Sequence, residues 1–70
     1  MSKENEPRVT GTIIESLPNT TFRVETPEGK LVLAYLSGKM RRFRIKVLVG
    51  DTVEVVTDQN GDKGRIERRL

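Results

Sequence analysis

Turn signals divide this chain into short runs and so limit what it can fold into. They are Pro18-Asn19, the tetrapeptide Thr26-Pro27-Glu28-Gly29, Gly50-Asp51, and an Asn-Gly pair within residues 58–63. Proline presets φ, and glycine and asparagine tolerate the left-handed region, so each cluster predicts a reversal of chain direction. The chain must therefore be built from short elements that double back on one another.

The runs between the turns are typical of strands, because they are rich in β-branched residues or alternate apolar with polar positions. Residues 20–25 alternate strictly, which predicts a half-buried strand with Phe22 in the core. Gly11 lies inside the first run, where glycine often marks a bend or bulge. The predicted strands are Arg8–Leu17, 20–25, Leu31–Leu36, Thr52–Thr57 and 64–68.

The third strand, Leu31–Leu36, is apolar on both parities, so the pattern alone leaves its buried face open. We expect the small-to-medium set to point inward: Val32, Ala34 and Leu36. Tyr35 would then point outward, on the same face as Arg23 of the second strand.

A short helix is predicted over residues 38–43, with the Ser37 hydroxyl as its N-cap. Met40 and Phe43 are three residues apart and would share a helix face. The order of elements is that of an OB-fold, and we predict an all-β, five-stranded antiparallel barrel with this helix between strands 3 and 4. Residues 1–6 are predicted to be a flexible tail, and residues 7–70 a single domain.

Positive charge is concentrated in the stretch SGKMRRFRIK, residues 37–46, and we call its five cations the basic patch. They are Lys39, Arg41, Arg42, Arg44 and Lys46. Residues 37–50 contain no acid and carry +5, whereas residues 1–36 and 51–70 each hold four basic and five acidic side chains, −1 each, which gives the formal net charge of +3. A local cluster of cations is what a polyanion such as RNA binds, because counterion release grows with the number of phosphates neutralised. The alternative is a solvated charged face.

Composition argues against several other classes. The chain has no cysteine and no histidine, which removes disulfides, thiolate zinc sites and the commonest general base near neutral pH. Its acids are scattered singly, so we predict no enzyme, no metal and no cofactor. It has neither a secretory signal nor an apolar run of about 20 residues, so we expect a cytoplasmic protein without a membrane segment.

Three stretches resemble the bacterial translation initiation factor 1 family: GTIIESLPNTTFRVE (11–25), LVLAYLSGKMRRFRIKVLVGDTVEV (31–55) and KGRI (63–66). The resemblance implies an OB-fold RNA binder that occupies the decoding A site of the small ribosomal subunit and occludes elongator tRNA. It also implies contact with small-subunit RNA and an adjacent ribosomal protein, together with initiation factors two and three. The loop TDQNGDKGRI is slightly shorter than in many members, and Tyr35 stands where a histidine is common. We expect a monomer in solution.

The candidate RNA-binding residues combine the basic patch with side chains on the second, third and fifth strands. They are Arg23, Tyr35, Lys39, Met40, Arg41, Arg42, Phe43, Arg44, Lys46 and Arg65. Met40 and Phe43 would wedge against bases, although Phe43 could equally seal the end of the barrel. Tyr35 would stack on a base, or else pack half-buried. Arg68 and Arg69 add charge near the C-terminus, where they could serve only solubility.

Two other functions compete with the initiation factor. A general single-stranded RNA chaperone of cold-shock type would need several stacking rings, and this chain has one Tyr and two Phe. A subunit whose basic patch docks on an acidic protein is the other alternative, and ribonuclease sensitivity of co-purifying material would separate it from an RNA binder.

Overall fold

The computed structural model describes residues 8–70, so the predicted tail 1–6 and Pro7 lie outside the described residues. The five strands and the single helix follow the predicted order, and their bounds agree with the predicted ones to within a residue. They are β1 (Arg8–Leu17), β2 (Thr21–Glu25), β3 (Leu31–Leu36), α1 (Gly38–Arg42), β4 (Thr52–Thr57) and β5 (Lys63–Arg69).

The strands close into a barrel in the order β1-β2-β3-β5-β4, which is an OB-fold arrangement. The predicted five-stranded barrel is confirmed; four of its strand pairs are antiparallel, and β3 and β5 form one parallel pair that the prediction did not include. The reason is geometric, because strand directions cannot alternate all the way round a closed ring with an odd number of members. One parallel pair is the minimum, and it joins β3 and β5, the two strands that α1 contacts most.

The predicted parity of β3 is confirmed, since Val32, Ala34 and Leu36 are buried and Tyr35 is exposed. The core is otherwise made by inward side chains from every strand. Its buried apolar members include Ile13, Phe22, Val24, Val53, Val55 and Ile66.

Gly11 does not mark the irregularity in β1, contrary to the prediction. It pairs in regular register with Val53, whereas the register shift lies between Ile13 and Glu15. Gly11 serves close packing instead, because a Cβ there would lie 2.6 Å from Cγ1 of Val24. Gly64 in β5 is equally crowded, with Cγ1 of Val55 at 2.5 Å from the same hypothetical atom.

Two absences hold within residues 8–70. The only helix there, α1, has five residues and is too short to cross a bilayer. No group of three or more acidic side chains in this range is placed to hold a metal ion.

Candidate nucleic-acid interface

The start of α1 is fixed by Ser37, as the sequence predicts. The Ser37 Oγ accepts a hydrogen bond from the Met40 amide at 3.2 Å, and the residue has extended backbone angles. Its own amide donates to the carbonyl of Ile66 in β5 at 3.0 Å. Ser37 therefore anchors the start of α1 to the barrel, directly before the cations that the helix carries.

The end of α1 is a Schellman motif, in which the Ile45 amide donates to the Met40 carbonyl at 2.9 Å and the Arg44 amide to the Arg41 carbonyl at 3.1 Å. The residue that must turn left-handed in this motif is usually glycine. Here it is Arg44, with φ of 54°. The chain thus turns sharply after α1 and carries a cation at a position where backbone energetics favour glycine.

Met40 does not belong to the exposed surface, so its side chain is not available to wedge between bases in this structure. Its side chain is 1% exposed and is part of the barrel core. Phe43, in contrast, is 63% exposed and does not seal the barrel. The two side chains do not share a helix face, because α1 ends at Arg42 and Phe43 is already the non-helical C-cap. The accessible apolar side chain of the SGKMRRF segment is therefore Phe43.

All five cations of the basic patch are exposed. None of them forms an ion pair with a carboxylate of residues 8–70, where the four ion pairs involve Arg8, Arg23, Lys30 and Arg65. The Arg42 guanidinium lies 5.9 Å from the centroid of the Phe43 ring, a cation–π arrangement. The patch is thus a group of cations whose counter-charge must come from outside this part of the molecule.

An open groove of about 400 Å³ lies beneath the basic patch. Its walls are mostly apolar, and three patch cations border it. The lining residues are Phe22, Leu36, Met40, Arg41, Arg44, Ile45, Lys46, Val47 and Leu48. Such a groove suits a ligand with a flat apolar body and an attached anion.

We call the outward side chains of β2, β3 and β5 the strand face. Tyr35 lies there at 47% exposure, next to Arg65 in the parallel register of β3 and β5. Arg23 lies opposite Leu33 on the same face, as predicted. Arg23 Nη1 is 2.8 Å from Glu15 Oε1, and Arg65 pairs with Glu67. The strand face therefore brings the predicted side chains together, but its Arg23 and Arg65 are each already matched by an acid.

Two features of this region were not predicted from the sequence. Leu31 and Leu33 are exposed beside Tyr35, and the three side chains form an apolar stripe. The sequence did carry a signal for this stripe, because β3 is apolar on both faces. Arg69 donates a hydrogen bond from Nη1 to the backbone carbonyl of Lys46 at 3.0 Å, so its role is not limited to solubility. No local pattern reveals that bond, since the partners are 23 positions apart.

Fold and site together define a small OB-fold barrel with an exposed cationic surface that has no acidic partner within residues 8–70. The sequence matches the family described as translation initiation factor 1A / IF-1 over residues 1–70. The chain therefore belongs to this family of translation initiation factors, which confirms the family resemblance and implies binding connected with the ribosome.

Solved structures show the same barrel in proteins of different size. The solution structure of translation initiation factor 1 from the Wolbachia endosymbiont strain TRS of Brugia malayi is 39% identical, with a TM-score of 0.76, covering 91% of this chain and 77% of that one. YjeQ from Thermotoga maritima is 35% identical, with a TM-score of 0.73 over 91% of this chain but 23% of that one. YloQ, a circularly permuted GTPase, is 22% identical, with a TM-score of 0.76 and the same coverages, and it shows the fold alone.

Proposed function

We propose that this initiation factor binds the decoding A site of the small ribosomal subunit and occludes elongator tRNA there, assisting initiation factors two and three. The observation that supports the proposal most is the basic patch, five exposed cations without a carboxylate partner in residues 8–70. RNA supplies the missing counter-charge as phosphate, and each neutralised phosphate releases counterions.

The patch would act by binding and not by bond chemistry. Arg41 and Arg42 lie on consecutive positions of α1 and point in different directions, so they would contact different phosphates. Phe43 would lie against a base, the role that the sequence predicted for both Met40 and Phe43. The groove beneath the cations has the size and polarity for an unstacked base whose phosphate meets Arg44 or Lys46.

The strand face would make a weaker, secondary contact. Tyr35 offers an exposed ring for stacking, but Arg23 and Arg65 would have to exchange a carboxylate for a phosphate. Exposed ion pairs contribute only about 0–1 kcal/mol, so the exchange is possible but adds little to affinity. An adjacent ribosomal protein is the other partner that we propose for this region.

Chemical footprinting of the RNA in purified small subunits, with and without the protein at near-physiological salt, tests this function. We expect discrete changes confined to the decoding helix and its neighbours. Diffuse protection that fades with modest salt would instead support the single-stranded RNA chaperone. No protection would contradict an RNA partner and favour docking on an acidic protein.

A further inference from the structure

Arg69 is the last residue of β5 and is held there by the sheet. It lies opposite Val53 of β4, and the following amide, that of Leu70, donates to the carbonyl of Thr52 at 2.8 Å. From this fixed backbone its guanidinium extends to the Lys46 carbonyl, with 3.0 Å between Nη1 and the oxygen. The side chain thus links the barrel to the segment that carries the end of the basic patch.

The segment it contacts, residues 45–48, has no regular secondary structure. One end is tied by the Ile45 amide in the Schellman motif, and the other by the Leu48 amide, which donates to Asp51 Oδ2 at 2.8 Å. Between these ends, the backbone of residues 46 and 47 receives one hydrogen bond from the rest of residues 8–70, and its donor is Arg69. The buried side chain of Val47 adds apolar packing.

This arrangement determines where the last cation of the patch, Lys46, lies. Arg44 and Lys46 flank Ile45, and any movement of the backbone at residue 46 displaces the Lys46 ammonium relative to Arg41 and Arg42 on the anchored helix. Simultaneous contact with several phosphates requires fixed spacing among cations, because ordering a mobile loop on binding costs conformational entropy.

We propose that Arg69 is a positioning residue for the basic patch. It acts through the Lys46 carbonyl, by ordering residues 45–48, and not through its own charge on RNA. The inference rests on the proposed RNA-binding function for its effect on affinity, but its effect on the loop is independent of any ligand.

Arg68 provides a matched control on the neighbouring position of β5. It carries the same charge and lies opposite Glu54 in the sheet, and its side chain forms no hydrogen bond or ion pair with residues 8–70. Replacing either arginine by alanine removes one cation from the same strand, but only Arg69→Ala removes the tie to the loop.

The first experiment needs no RNA. Amide NMR spectra and relaxation of the free Arg69→Ala protein should show shifted and more mobile signals for residues 45–48, with barrel signals unchanged. Arg68→Ala should leave the loop signals as in the wild type. Loop signals that stay unchanged in Arg69→Ala would overturn the inference, whether or not the protein binds the ribosome.

The second experiment is a double-mutant cycle on binding to purified small subunits at fixed salt. We expect Arg69→Ala and Lys46→Ala each to weaken binding about fivefold, the order of the net contribution of one typical hydrogen bond. Because Arg69 acts through residue 46, adding Lys46→Ala to Arg69→Ala should cause no further loss of affinity. The double variant should bind as well as the single variant that has the lower affinity. Multiplicative losses would mean an independent contact and overturn the inference. Failure of the wild-type protein to bind would refute the proposed function instead, leaving the loop experiment to decide the role of Arg69.

Discussion

The basic patch and the strand face carry the same kinds of cation in opposite electrostatic situations. In the patch, no cation is paired with an acid of residues 8–70, whereas Arg23 and Arg65 on the strand face each have a carboxylate partner. Both regions looked like candidate RNA surfaces in the sequence. The difference shows that the pairing of cations within the fold, more than their number, decides how much counter-charge each region requires from a ligand.

Reversing charge in the patch should have the largest effect. The double variant Arg41→Glu with Arg42→Glu is expected to weaken small-subunit binding at least about tenfold, because two phosphate contacts become repulsive. Both side chains are exposed, so the thermal unfolding midpoint should hardly change. Arg8→Glu with Arg23→Glu makes the same change in net charge at two paired cations and should weaken binding much less. Equal losses for the two double variants would remove the distinction between unpaired and paired cations.

The two exposed rings provide the next comparison. Stacking on a base is worth about 1–3 kcal/mol, so Phe43→Ala should weaken binding about fivefold or more. Tyr35→Ala, which removes a ring of similar size from the strand face, should have a smaller effect. Titration of each variant with small subunits measures the ratio. A larger loss for Tyr35→Ala would make the strand face the main RNA surface.

Arg44 allows affinity and stability to be separated. Glycine is favoured at its left-handed position, so Arg44→Gly should raise the free energy of unfolding by about 1 kcal/mol. The loss of the cation should weaken binding about threefold, the scale of a single exposed charge pair. Arg44→Ala should lose the same affinity without the gain in stability, since alanine retains the cost of the left-handed backbone. Denaturant unfolding of both variants and their binding curves check the two effects, and unchanged affinity in both would exclude Arg44 from the site.

The smallest effect is expected from a substitution that turns a paired cation into an unpaired one. Glu15→Gln leaves the Arg23 guanidinium without its carboxylate and should tighten small-subunit binding by at most about twofold. Ser16→Ala, at the adjacent position of β1, is the control. Weaker binding in Glu15→Gln would show that the ion pair positions Arg23 for RNA, and the strand face would then need a different account.

The sequence predicted most of the fold because the signals involved were local. Pro18, Gly29 and the Asn-Gly pair fixed the turns, and alternation placed Phe22 in the core. The parallel pairing of β3 with β5 was missed because it joins segments separated by α1 and β4, and only ring closure requires it.

The site was predicted less completely, for two physical reasons. The spacing of Met40 and Phe43 predicted one shared face, but the helix ends between them and only Met40 turns into the core. The charges of Arg23 and Arg65 were visible in the sequence, but their pairing with acids depends on which side chains the barrel places together. The cations in SGKMRRFRIK are exposed as expected, and the fold brings no acid of residues 8–70 into an ion pair with them.

The salt dependence of small-subunit binding distinguishes the unpaired from the paired cations, because its slope counts the phosphates that the protein neutralises. Dissociation constants would be measured between about 50 and 200 mM salt for the wild type, for Arg41→Gln with Arg42→Gln, and for Arg8→Gln with Arg23→Gln. The slope should fall in magnitude by about 1.4–1.8 for the patch variant and by much less for the paired-cation variant. An equal fall for both variants would contradict the claim that the unpaired cations carry the binding.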